Sequence, residues 1–353
     1  MIAEKQKLIE NDINKVIPRV IDKLNGLSNH SLLITGAGGF LGSWIIQLIN
    51  FLNHSHNFNT KLFLIDRDFT NLKDHNPKIL NSKNFVVIET DIRSSINLSN
   101  SIDYIIHAAS TPDRRMHTSS PVDTMRSISE GTSSILQLAT RLPNLKMLLN
   151  MSASSIYDQS NFDPIDENSD GKPLSQNISY AHSEAKRFAE MLCSAARNEA
   201  RIPIINVRPF TFCGPYQDIN SPWAINNFIK DAINKSPIKI LGNGKTIRSY
   251  MYGLDFAIWS LVIMLNGQNS ETYNIGSNFG ISLEELARKI LIHTNSPLEI
   301  QLNASLIGDI KADSLLPNTN KAIEHFNLEI YTEIDDAIIR TIEWYLMQKK
   351  INT

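Results

Sequence analysis

The sequence predicts an α/β protein, a doubly wound parallel sheet with a smaller C-terminal lobe. Three observations carry this. Six short apolar runs alternate with segments of helical period. The first run leads directly into a glycine-rich turn that opens a helix. After Val207 the alternation breaks, and Asn, Pro and Gly punctuate shorter elements. Buried apolar strands separated by helices imply a parallel sheet covered on both faces.

Residues 3–25 read as an amphipathic helix. Ile9, Ile13, Val16, Ile17, Val20, Ile21 and Leu24 recur at helical spacing, and Gly26 is a stop. This is an added helix expected to pack on the outside of the main domain. The strands follow at 31–35, 61–66, 84–91, 102–109, 146–151 and 202–207. Helices are expected at 122–141 and about 179–198. In the C-terminal third, helices are expected at about 222–234, 282–294 and 333–349. The organisation is an N-terminal helix (1–29), a main domain (30–208, with a returning segment around 247–262) and a lobe (209–246 and 263–353).

The chain has 353 residues, 42% hydrophobic and 20% charged, which is globular composition. The formal net charge of −2 gives no electrostatic reason to bind nucleic acid or an anionic membrane. No apolar run approaches the ~18–20 residues of a membrane span. Glu4, Glu10 and Asp12 interrupt the N-terminus against a signal peptide. Two cysteines, Cys193 and Cys213, lie in apolar stretches, so a reducing, cytoplasmic location is expected. His75, His117 and His293 lack metal-ligand spacing, and no metal is inferred.

Gly36, Gly39 and Gly42 stand after a strand and at the start of a helix whose first residues include Phe40 and Leu41. That placement lets the backbone approach a pyrophosphate, whose charge the helix N-terminus favours. The next strand ends in Asp66, placed to accept from an adenine-ribose 2′-hydroxyl. A carboxylate there repels a 2′-phosphate, which favours NAD over NADP, although Arg67 follows at once. Asp91 and Ile92 close the third strand and are candidates to flank the adenine. Ala108 and Ala109 provide a small-residue floor after the fourth.

With these residues in view, the chain resembles the extended short-chain dehydrogenase/reductase superfamily, specifically the NAD-dependent epimerase/dehydratase family that acts on nucleotide sugars. The likeness covers about residues 30–345. It rests on Thr35-Gly-Ala-Gly-Gly-Phe-Leu-Gly42, Asp91-Ile92, His107-Ala-Ala109, Ser152-Ala-Ser-Ser-Ile-Tyr157 and Ala185-Lys-Arg-Phe-Ala-Glu190. Arg208-Pro-Phe-Thr-Phe-Cys-Gly-Pro-Tyr216, Gly242-Asn-Gly-Lys-Thr-Ile-Arg-Ser-Tyr250 and Tyr273-Asn-Ile-Gly-Ser277 extend it. The resemblance implies a Rossmann-like sheet with NAD bound and Pro209 among the cofactor contacts. It also implies hydride removal from a sugar, usually at C4, to give a 4-keto intermediate. In the family a Tyr is the base, a Lys one helical turn later lowers its pKa, and a Ser or Thr holds the reacting oxygen.

The catalytic pattern departs from that family. Lys186 fits the lysine, but the residue four before it is His182. Tyr180 lies six before, about 600° around a helix against about 400° for the usual pair. Ala153 stands at the Ser/Thr position, with Ser152, Ser154 and Ser155 around it. Ser154 and Ser155 also replace the Asp-Glu pair of the 4,6-dehydratases, and serine is a poor acid or base at neutral pH. Three readings stay open: His182 is a substitute base, Tyr180 reaches in from an irregular helix start, or the site has lost its chemistry. Tyr157 is a further candidate. Imidazole, with a reference pKa of about 6.5, suits the first reading.

On the substrate side the resemblance implies that Arg248 grips the nucleotide diphosphate. A guanidinium fork suits two phosphate oxygens. Thr211 stands where relatives place an Asn, and Asn227 opens the helix expected to pass the nucleotide. The leading expectation is a nucleotide-sugar epimerase. The alternatives are a dehydratase, decarboxylase or reductase of the same family, or an impaired binding protein. A homodimer is expected through the helices at 122–141 and 180–198, using Met125, Ile128, Ile135, Leu136 and Leu138 with Phe188, Met191, Leu192 and Ala195.

Overall fold

Every apolar run read from the sequence becomes a strand of one sheet. The computed structural model describes residues 2–94, 96, 98, 102–110, 113–157, 164–171, 176–302 and 313–349. The strands are β1 (Ser31–Thr35), β2 (Lys61–Asp66), β3 (Phe85–Glu89), β4 (Tyr104–His107), β5 (Met147–Met151) and β6 (Ile204–Pro209). A further strand, Thr272–Ile275, pairs parallel with β6, Thr272 opposite Asn206. The order is Thr272–Ile275, β6, β5, β4, β1, β2, β3, all parallel. The sequence reading left residues 272–275 in the lobe. Their short run shows its strand character only once β6 stands beside it.

Period-two alternation explains the two cores. Leu32 and Ile34 of β1, Leu62 and Leu64 of β2 and Leu149 of β5 face one side. Leu33, Phe63, Ile65 and Leu148 face the other. The first side is covered by α1 (Ile2–Leu24), α2 (Phe40–Ser55) and α8 (Gly253–Asn266), with Trp44 and Trp259 wholly buried. The second is covered by α5 (Pro121–Ala139) and α6 (Ala181–Ala200). The short helix α3 (Thr70–His75) lies between β2 and β3, and α4 (Arg114–Ser119) lies between β4 and α5.

The C-terminal part carries α7 (Ala224–Ile233), α9 (Leu283–His293), α10 (Asn320–Phe326) and α11 (Ile334–Lys349). Its strand Ile247–Ser249 pairs antiparallel with Gly280–Ser282 and parallel with Ser314–Leu315. Ser282 and Glu285 form a reciprocal capping box that starts α9. Cys193 and Cys213 are free and buried. Among the described residues no helix is long and apolar enough to cross a membrane, and no group of three His, Cys, Asp or Glu is placed to hold a metal.

The helix α1 is more deeply tied in than an added helix need be. Asp12 accepts from Tyr252 Oη (2.8 Å) and pairs with Arg340 Nε of α11 (2.9 Å). Lys5 Nζ lies 3.2 Å from His75 Nδ1 and over the Trp344 ring. Thus one amphipathic helix joins α3, α8 and α11. Burial, helped by the Lys5 cation, holds His75 down to about 4.

That shift has a consequence with a definite sign. An unfolded His takes its proton at about 6.5. Between there and about 4 the unfolded chain binds a proton that the folded chain refuses, so this group's contribution is lost as pH falls through that window. His75→Gln removes the effect. In urea titrations the stability gap between parent and variant is expected to be widest near pH 7 and to narrow below about pH 5. A gap independent of pH would show that His75 titrates normally in the folded protein.

Candidate active site and its relatives

The sheet order reverses between β1 and β4, and a cavity of about 1280 Å³ opens there at the carboxyl ends of the strands. Gly36 has φ +73°, and a Cβ on it would lie 2.8 Å from the Ala108 carbonyl carbon. The turn can therefore close on β4 only with glycine. Gly42 serves packing instead, since a Cβ there would lie 2.4 Å from Ala37 O. A fourth glycine, Gly38, falls between the spaced positions and was missed. Its N–H donates to Asp66 Oδ2 at 2.9 Å, and a Cβ would strike Asp68 O at 2.2 Å.

Asp66 also accepts from Arg67 N at 2.7 Å. Burial raises its carboxyl above the usual range, opposed by the N–H groups of Gly38, Arg67 and Asp68. Asp91 pairs with Arg93 at 2.7 Å, and Arg93 reaches on to Asp123. The hydrogen bonds from Arg93 hold Asp91 down to about 2, against the effect of burial. Phe40, Leu41, Arg67, Ile92, Ala108 and Ala109 also line the cavity here, while Pro209 lines it from the end of β6, beyond β5.

At the other end, α6 begins at Ala181, preceded by a tighter turn over Ile178–Tyr180. Tyr180 is the cap, outside the regular helix, although it lines the cavity. His182 and Lys186 stand one turn apart and both line it. Lys186 Nζ donates to Met151 O at 2.7 Å, at the end of β5. Burial pulls Lys186 down to about 8, against the raising influence of Glu190 and Cys193. His182 Nδ1 lies 3.4 Å from Ser155 Oγ, and its ring stacks on His117 of α4.

Ser152 Oγ is buried with no hydrogen-bond partner among the described residues. Ser154 is buried at the start of the turn Ser154–Ile156. Tyr157 is tied down: its hydroxyl donates to Asn274 Oδ1 (2.7 Å) and accepts from Arg208 (2.8 Å). Burial pushes it up to about 12, which unfits it as a base. His107 is likewise held, by Thr35 Oγ1 at 2.8 Å and Thr132 Oγ1 at 3.2 Å.

Thr211 and Arg248 line the lobe side of the cavity. Arg248 is not alone there: Asp313 pairs with it at 3.0 Å and also lines the cavity. Asp313 and His117 were missed because their partners are distant in sequence. Asn227 does not reach the site. It lies exposed on α7, outside the lining, and Pro222, Trp223 and Ala224 face the cavity instead. The helix enters the lobe by its first residues, and Asn226 turns inward to Tyr345 Oη at 3.1 Å.

The residues present fit a dinucleotide. The glycine turn leaves no room for a side chain, and Gly39 precedes α2 as its N-cap with no side-chain hydrogen bond to the first N–H groups. Fold and site thus define a dinucleotide-dependent α/β enzyme. Residues 32–276 match the model of the NAD dependent epimerase/dehydratase family, and the chain belongs to that family. NAD is its cofactor.

Relatives point the same way. The chain is 25% identical over 346 residues to UDP-glucuronic acid decarboxylase 1 of Xenopus tropicalis, covering 98% of this chain and 78% of that protein. It is 27% identical over 274 residues to UDP-glucuronic acid decarboxylase 4 of Arabidopsis thaliana, covering 77% and 59%. Among solved structures, UDP-glucose 4-epimerase of Thermotoga maritima superposes with a TM-score of 0.75 at 19% identity, covering 90% of this chain and 99% of that one. UDP-glucuronic acid 4-epimerase of Bacillus cereus, in complex with NAD, gives 0.75 at 20%, covering 90% and 99%. At these identities the structural likeness is one of fold.

The position of Asp66 sets an expectation for the cofactor. Calorimetry should give NAD at least about tenfold tighter than NADP, or about 1.4 kcal/mol. Equal affinities would mean that Arg67 compensates the carboxylate.

Proposed function

We propose that the chain is an NAD-dependent nucleotide-sugar epimerase working through a 4-keto intermediate, with His182 in the place of the family's tyrosine base. The observation that carries this is the pair His182 and Lys186, one turn apart and both facing the cavity. NAD, when bound, would supply the hydride acceptor and donor for the sugar carbon. In the tautomer whose Nδ1–H points to Ser155 Oγ, Nε2 of His182 is the acceptor for the sugar hydroxyl proton. Lys186, fixed on Met151 O, holds the nicotinamide ribose and favours a neutral imidazole. Ser152, whose hydroxyl has no described partner, binds the reacting oxygen. Ser154, Ser155 and Thr211 line the sugar pocket, and Arg248 binds the diphosphate while Asp313 orients its fork.

A dehydratase is disfavoured because Ser154 and Ser155 supply no acid–base pair. The decarboxylase reading is the second, favoured by the two relatives reported above. A C4 ketone stands β to a C5 carboxylate, so carbon dioxide can leave without a dedicated acid. The same oxidation step serves both readings.

Turnover with UDP-glucose and with UDP-glucuronic acid separates them. Epimer without carbon dioxide supports the first, and pentose with carbon dioxide supports the second. Binding of NAD and both sugars with no transient nicotinamide absorbance would reduce the protein to a binding module. His182→Ala is expected to lower hydride transfer by at least about a hundredfold, with NAD affinity nearly intact. Lys186→Ala should weaken both. An inert Tyr180→Phe beside a harmless His182→Ala would instead assign the base to Tyr180.

A homodimer through α5 and α6 is part of the proposal, on a smaller surface than the sequence suggested. Ile128, Ile135, Leu136 and Leu138 are buried within the protomer, and Leu192 packs against its second core. Val122, Met125, Phe188 and Met191 remain outside, 41–70% exposed. Light scattering should give the mass of two chains, and Phe188→Glu with Met191→Glu should give one. A concentration-independent monomer in the parent would refute the dimer.

A further inference from the structure

The His117 and His182 rings lie parallel, 9° between planes and 4.2 Å between centroids. His117 is buried on α4, while His182 is half-buried in the first turn of α6. We infer that His117 is a positioning residue for His182, and that the two stacked imidazoles titrate as one unit holding a single proton near neutral pH. The catalytic consequence rests on the reading of His182 as the base. The coupling itself does not.

The argument is electrostatic and steric. Two imidazolium rings face to face at this distance repel, and little water can come between them to screen the charges. A stack with at most one charge carries no such penalty. The groups facing the pair sharpen this. From α6 itself, Lys186 adds a buried cation one turn away, while Glu184 is paired with Arg187 at 3.1 Å. Tyr180 caps the same helix. From the turn Ser154–Ile156, Ser155 Oγ meets His182 Nδ1. At the start of α4, Asp113 attracts a proton to His117, but Arg115 pairs with it at 2.6 Å. From α5, Thr124 Oγ1 donates to Met116 O at 3.4 Å, and Ile128 packs on Ala185 and Ala189.

The first proton therefore raises the cost of the second, and the steps separate. One imidazole stays neutral over the range where a base must accept. The His117 ring also lies flat against His182, which limits rotation of that ring away from the cavity. Nothing in the helical spacing of His182 and Lys186 foretells this, because His117 arrives from another element.

The test follows the ring nitrogens of 15N-histidine in the full chain as pH is varied, without sugar. In the parent, His182 should report two steps separated by about one pH unit or more. His117→Phe keeps a flat ring and removes the proton site. There His182 should show one step, moved up toward about 6.5. His117→Gln is the second variant, read in the same way should the first not fold. An upward shift of His182 in the folded variants supports the pairing. A midpoint that falls, or stays within about a third of a unit of the parent, overturns it.

A kinetic arm uses UDP-glucose and UDP-glucuronic acid with NAD. If His182 is the base, the acid limb of the kcat/KM profile should move up with its midpoint. A limb that stays in place while the midpoint moves would refute His182 as base and leave the pairing standing. The two failures are thereby distinguished.

Discussion

A lysine ammonium wholly inside the protein anchors the site. Lys186 is buried, and its hydrogen bond to Met151 O joins α6 to the end of β5. Burying a cation on a carbonyl is costly, and its pKa falls to about 8 for that reason. The cost is tolerated because small residues let α6 lie close: Ala185 and Ala189 pack on Ile128. The bond fixes the rotation of the helix, and so points His182 into the cavity. It also carries a charge to His107, where burial first and Lys186 second hold the imidazole down to about 3. His107 is thus a neutral strut between β1 and α5.

The same rotation explains the unusual catalytic pattern. α6 starts with a tighter turn, so Tyr180 does not share the lysine's regular helical face. The hydroxyl of Tyr157, close by in sequence to the serines, is consumed by Arg208 and Asn274. Arg208 is held in turn by Glu190 at 2.8 Å. Besides Tyr180 at the helix cap and Lys186, an imidazole and several serines face the cavity. On the proposed reading His182 moves one proton at a sugar hydroxyl, while Ser154 and Ser155 offer no acid–base pair to expel water.

The C-terminal part lines this site from several short elements, whereas the N-terminal helix contributes nothing to the lining. Arg248 and Asp313 belong to neighbouring short strands and loops, brought together when Ser314–Leu315 pairs with Ile247–Ser249. At the back of the sheet, α1 links α8 and α11 through Asp12, Tyr252 and Arg340. Tyr252 lies immediately before α8, so this buried contact steadies the chain that returns from the lobe to the sheet.

The sequence by itself determined the elements and the cofactor turn. Strand alternation and helical period are local properties, so β1 to β6 and most long helices were legible to within a few residues; α8, hydrophobic all round, stood only as a returning segment around 247–262. Glycines at 36, 39 and 42, with Asp66 at a strand end, carry their meaning in spacing alone. The four-residue interval from His182 to Lys186 was legible for the same reason. Tertiary structure decided what depends on long-range approach. Thr272–Ile275 became a strand because β6 offered an open edge. Asn227 faced outward because Asn226 found Tyr345. Asp313 met Arg248, and His117 met His182, across 65 residues in each case. No local pattern encodes such meetings, because they follow from the packing of whole elements, in which every residue between the partners takes part.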